Sequence, residues 1–244
     1  MTFPFPCLVL LAVMAPGLSP EATAGENGDY VVLLHGSGRT ALSMKWIEWH
    51  LRRRGYRVIN ETYPSQSLPV PALADDFLRN LLACRINDSS ATVHFVTHSL
   101  GGIIVRQYFV NHSPPNPGRV VMLAPPNQGS EIIDHLRGSA LLRKILGPGR
   151  LFLGTAADDL PKRLGPVRFE CGVIAGDRSL NPFLSAMLPG TSDGEVTVES
   201  AKVAGMRDFL VLHSSHTWLM WRRETVRQTC RFLETGAFDH SCRQ

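Results

Sequence analysis

At 244 residues, the chain suits one α/β domain with a single core, since chains tend to split into further domains only beyond about 250–300 residues. A hydrophobic fraction of 44% with 19% charged residues excludes a disordered chain. The formal net charge of +4 is mild, and no basic stripe is interleaved with aromatics, which argues against nucleic acid as a partner.

Taken in chain order, the first feature is an apolar run, Cys7 to Ala15, broken by Pro16-Gly17-Leu18-Ser19-Pro20 and followed by the small-x-small site Ala22-Thr23-Ala24. This pattern predicts an export signal over residues 1–24 and a periplasmic or secreted mature protein from residue 25. Its n-region is atypical, because no Lys or Arg precedes the apolar run. The run is also shorter than the ~20 apolar residues needed to span a bilayer. After cleavage four cysteines remain: Cys84, Cys171, Cys230 and Cys242. Their even number permits disulfides, with Cys230–Cys242 the first pair to test.

The remainder alternates between strand and helix patterns. Continuous apolar runs predict buried strands over 30–34, 56–60, 92–96, 120–123, 169–175 and 209–212. Helical spacing predicts helices over 41–54, 69–84, 100–111 and 216–233. The Arg52-Arg53-Arg54 cluster ends the first helix before Gly55, where cations complement the helix dipole. Between 124 and 167 the regularity fails, which predicts a short cap-like insertion. The pattern as a whole predicts an α/β fold with a mostly parallel, doubly wound sheet.

Val93-His94-Phe95-Val96-Thr97-His98-Ser99-Leu100-Gly101-Gly102 runs an apolar strand into a serine and straight on into a helix. That is the pattern of a nucleophile elbow, a strained turn that lifts a serine hydroxyl above a parallel sheet. The glycines let the helix start pack closely on the strand. Thr97 stands where a small residue is usual, so its side chain is expected to be buried with its hydroxyl bonded to a nearby backbone carbonyl. Serine alone is a poor nucleophile and needs a base, a group to orient that base, and donors for the oxyanion.

Each can be assigned. His35-Gly36-Ser37-Gly38 follows the first strand, and its turn offers the backbone N–H of Ser37, with that of Leu100, as oxyanion donors. His35 itself is read as stabilising the turn. Asp193, in Thr191-Ser192-Asp193-Gly194-Glu195, is the preferred acid, with Asp177 at a strand end as its competitor; Glu195 is read as facing solvent. Of the two histidines in Leu212-His213-Ser214-Ser215-His216, His216 suits a base on a loop over the elbow, and His213 is the alternative. The order Ser99, Asp193, His216 is the triad order of one common serine-hydrolase plan.

With these motifs in view, the chain resembles the α/β-hydrolase superfamily, near small bacterial triacylglycerol-lipase-like esterases, over roughly residues 29–233. Ala124-Pro125-Pro126-Asn127-Gln128-Gly129-Ser130 and Ser192-Asp193-Gly194-Glu195-Val196 share in the resemblance. The resemblance implies hydrolysis of a carboxylic ester, small-molecule or lipid, through an acyl-serine, with no metal or organic cofactor and with peripheral membrane contact as an option. An acyltransferase or thioesterase on the same residues remains an alternative, as does a binding protein on a hydrolase scaffold. The brevity of the insertion favours short or medium acyl chains.

Overall fold

The computed structural model describes residues 28–138 and 151–241 and leaves the side chains of Pro182 and Leu184 aside. The expected export signal and Cys242 therefore lie outside the described residues. Six strands form one sheet: β1 (Tyr30–Leu34), β2 (Arg57–Asn60), β3 (Val93–His98), β4 (Pro117–Leu123), β5 (Cys171–Gly176) and β6 (Asp208–Leu212). Their order is β2-β1-β3-β4-β5-β6, and every neighbouring pair is parallel. The expectation of a doubly wound parallel sheet is borne out.

Alternation along the strands sorts the core into two layers. Val32, Leu34 and Phe95 face one side; Val31, Leu33 and Val96 face the other. Against the first side pack α2 (residues 70–85) and α3 (Leu100–Asn111), and against the second α1 (Lys45–Arg52) and the closing helix, introduced below. α3 is buried nearly all round through Leu100–Arg106, as expected of a helix hydrophobic on every face. Within the insertion lie α4 (Glu131–Arg137) and α5 (Leu160–Arg163), and beyond β5 come α6 (Pro182–Ala186) and α7 (Val198–Ala201).

Some element boundaries need correction. The first predicted helix opens as a 3-10 turn, Ala41–Met44, before α1 proper. α2 contains a wide π segment, Leu73–Leu78. The closing helix, α8, is Arg223–Thr235 rather than 216–233; a 3-10 turn at Leu219–Trp221 precedes it. That turn buries Leu219 and Met220, so the apolar periodicity runs on without a continuous helix. Among the described residues Cys84, Cys171 and Cys230 form no disulfide, and the expected Cys230–Cys242 pair falls outside them. Burial pushes Cys171 up to about 12 and Cys230 to about 11, which keeps both protonated.

The topology fixes where a site can form. From β1 the chain turns to β2 on one side, then crosses to β3 on the other, so the loops leaving β1 and β3 diverge. A crevice opens at the C-terminal ends of parallel strands at such a switch point.

Candidate active site

Four loops converge on that crevice. The 35–40 loop leaves β1, Ser99 follows β3, the Asp193 turn lies between α6 and α7, and the His216 loop follows β6. Ser99 has φ 51° and ψ −119°, a left-handed conformation that costs a non-glycine residue free energy. The turn is held by Ser99 N–H donating to Leu123 O at 2.8 Å and by Gly102 N–H donating to Ser99 O at 2.9 Å. At Gly101 a Cβ would sit 2.6 Å from Leu34 O, so only glycine lets α3 begin against β1.

Asp193 and His216 meet in the interior. His216 Nδ1 lies 2.7 Å from Asp193 Oδ2, and both side chains are almost wholly buried. Asp193 is prepared for this by its own turn, because its Oδ1 accepts the N–H groups of Glu195 (2.9 Å) and Val196 (2.8 Å). Oδ2 is left to His216. The His216 N–H donates to Asp193 O at 3.0 Å, a second tether between the two loops. At Gly176, the end of β5, a Cβ would meet Ser214 O at 2.3 Å and Asp193 Cβ at 2.8 Å. Glycine there admits both loops, a requirement that no local pattern in the sequence signals.

Burial pushes His216 towards the neutral form, but the charges of Asp193 and Glu195 and the Asp193 hydrogen bond outweigh it. The net effect raises His216 above the ordinary histidine value. Glu195 therefore requires a correction. It does not simply face solvent: its Oε2 stands 3.8 Å from His216 Nε2, and it lines the crevice. The fold of the Asp193 turn brings it back over the site.

The competing residues Asp177 and His213 pair with each other instead, at 3.0 Å, on the surface. His35 is fully buried and stacks on Tyr63 at 3.9 Å. Its Nδ1 bonds Gly36 O and its Nε2 accepts the Tyr63 N–H, so both ring nitrogens brace the 35–40 loop. Thr97 is fully buried, but its hydroxyl finds no partner, contrary to expectation.

Arg39, His98, Ser99, Glu195 and His216 line a polar pocket of about 300 Å³ over the 36–38 loop. Beside it, a crevice of about 20 Å³, room for about one water, is lined by Ser37, Ser99, Ser130 and Glu195 as well as by Leu100, Pro126, Ile133, Leu153 and Val196. The Ser37 and Leu100 N–H groups donate to no acceptor among the described residues, which leaves both available. The Asn127 side chain anchors the 125–130 loop to Ala201 O and accepts from the buried Arg106. A larger cleft, about 1040 Å³, lies at the N-terminal ends of the strands beside Asp29, His94 and Arg119; Arg106 also lines it, but Ser99, Asp193 and His216 do not.

The sequence profile described as the alpha/beta hydrolase family matches residues 31–229. No curated protein matches the sequence itself. Among solved structures, the chain is similar to a mature lipase of Bacillus licheniformis, with 16% identity and a TM-score of 0.64, covering 87% of this chain and 94% of that one. It is similar to a metagenomic carboxyl esterase at 19% identity and TM-score 0.61, over 80% of this chain and 66% of the other. For the esterase of Exiguobacterium antarcticum the values are 16% and 0.55, over 85% and 92%. At these identities the likeness is one of fold.

Proposed function

We propose, from the premise that this chain belongs to the alpha/beta hydrolase family, that it is a serine carboxylic-ester hydrolase working through an acyl-serine intermediate. The observation that carries the reading is the buried His216–Asp193 pair beside a strained Ser99 in one pocket. Ser99 Oγ attacks the ester carbonyl while His216 Nε2 takes its proton. Asp193 holds the Nδ1–H tautomer and stabilises the imidazolium. The Ser37 and Leu100 N–H groups receive the oxyanion, with Leu100 at the positive end of α3. His216 then returns the proton to the leaving alcohol, and water repeats the sequence on the acyl-enzyme.

The brevity of the insertion over residues 124–167 supports short or medium acyl chains. The polar pocket suits the alcohol side. Exposed Leu42, Phe152 and Trp218, each near a residue of the site in sequence, support peripheral contact with a lipid surface. Export rests on the N-terminal apolar run. A fluorophosphonate probe tests the central claim, since it should label wild type at Ser99 and spare Ser99→Ala. A p-nitrophenyl ester series of increasing chain length should show turnover falling beyond short or medium acyl groups. Absence of labelling in folded protein would refute the reading.

A further inference from the structure

His98 closes β3 immediately before Ser99, and its side chain is fully buried. Its Nε2 lies 3.1 Å from the carbonyl oxygen of His216. A carbonyl only accepts, so Nε2 carries the proton and donates. Nδ1 is then a bare lone pair, and no donor reaches it although it is buried. The two imidazoles lie with centroids 4.8 Å apart, tilted by 52°. Burial first, then the charges of His216 and Arg39, hold His98 well below the ordinary histidine value and therefore neutral. A buried nitrogen without a partner costs free energy. Leucine or methionine could fill much of the same space without that cost, so packing alone does not account for the imidazole.

We infer that His98 is a positioning residue for His216, clamping the His216 carbonyl to the strand that carries Ser99. This rests on the reading of Ser99 and His216 as nucleophile and base. The other two tethers of His216, through Nδ1 and through its N–H, both run to Asp193. They orient the ring relative to its acid but do not tie the loop to the elbow. The His98 bond supplies that connection across 118 positions of sequence. With it, the elbow and the His216 loop move as one body, and Nε2 stays in register with Ser99 Oγ.

The test compares His98→Leu, which removes the donor, with His98→Gln, whose amide can donate again. A misplacement of about 1 Å can cost ~10²-fold in rate, so His98→Leu should lose about 10- to 100-fold in kcat on p-nitrophenyl acetate with KM nearly unchanged. His98→Gln should recover part of that loss. Proton NMR of the His216 Nδ1–H gives a readout that needs no turnover: sharp in wild type and His98→Gln, broadened in His98→Leu. Urea unfolding midpoints should stay close to wild type. If His98→Leu does not fold, His98→Met removes the donor with a more adaptable side chain. A folded donorless variant with wild-type kcat and a sharp resonance would overturn the inference. So would losses in both variants that merely track their unfolding midpoints. Were wild type itself to turn over no ester, the hydrolase reading would fail, while the NMR comparison would still decide whether His98 orders His216.

Discussion

Two histidine–aspartate pairs stand close together in this molecule, both histidines on the loop after β6, one aspartate directly after β5 and the other in the turn between α6 and α7. His213 and Asp177 meet at 3.0 Å with side chains 70% and 31% exposed; His216 and Asp193 meet at 2.7 Å with 5% and 1% exposed. The outer pair is screened by water, and such contacts contribute little. The inner pair is desolvated, its aspartate is fixed by two backbone N–H groups, and its histidine is tethered at the N–H and at the carbonyl. Proximity alone thus does not distinguish the two pairs; burial and the surrounding tethers do.

The strongest way to break this comparison is to remove each histidine in turn. His216→Ala should match Ser99→Ala, each lowering kcat by at least ~10⁴-fold because they act as one unit. His213→Ala should change kcat by less than about twofold. Equal losses at the two histidines in folded proteins would erase the distinction. The acids should divide in the same way. Asp193→Asn favours the wrong tautomer and should cost about 10³- to 10⁴-fold in kcat, whereas Asp177→Asn should leave turnover near wild type.

The pH dependence sharpens the contrast. On the proposed mechanism turnover needs neutral His216, so the acid limb of kcat/KM should lie above the ordinary histidine value of about 6.5. Glu195→Gln removes one of the charges that raise His216 and should move that limb downward by a fraction of a unit. An unmoved limb would show that Glu195 has no electrostatic hold on His216. Stability runs the other way for this group. The stabilisation from a raised His216 is fully present below the ordinary value and is lost as pH rises through its folded value, the interval over which turnover appears. His35, His94 and His98 are lowered by burial, His94 to about 4. Each favours the unfolded state once pH falls below about 6.5, so the midpoint of thermal unfolding should drop between pH 7 and 5 despite His216.

The smallest effect concerns Thr97, behind the elbow. With its buried hydroxyl unpartnered, Thr97→Val should be neutral or stabilising by up to about 1 kcal/mol, with turnover kept. Thr97→Gly should lose roughly 1–2 kcal/mol through the cavity and the looser unfolded chain. Urea unfolding of both variants beside esterase turnover measures this.

Features written in consecutive residues were legible from the sequence. The apolar run at 30–34, the elbow at 96–102 and the chain order of Ser99, Asp193 and His216 all depend on local pattern or simple spacing. What stayed hidden depends on how separate loops fold over one another. Glu195 reads as a solvent residue until the Asp193 turn curls it back to His216. His98 reads as one more strand residue until the loop after β6 arrives above it. Gly176 reads as a strand end, yet its missing side chain is what admits both loops. The start of α8 is hidden in the sequence because a 3-10 turn can bury Leu219 and Met220 at a spacing that mimics an α-helix.

The separation of the elbow from the loop after β6 has a bearing on biosynthesis. A ribosome delivers Ser99 and its strand well before the residues that would activate it, His216 following His98 by 118 positions. Until β6 is laid against β5, a growing chain holds a serine with neither proton acceptor nor aligned acid. On the proposed mechanism, reactivity is thereby switched on by completion of the fold, and unfinished or truncated chains would carry a hydroxyl as inert as any other serine.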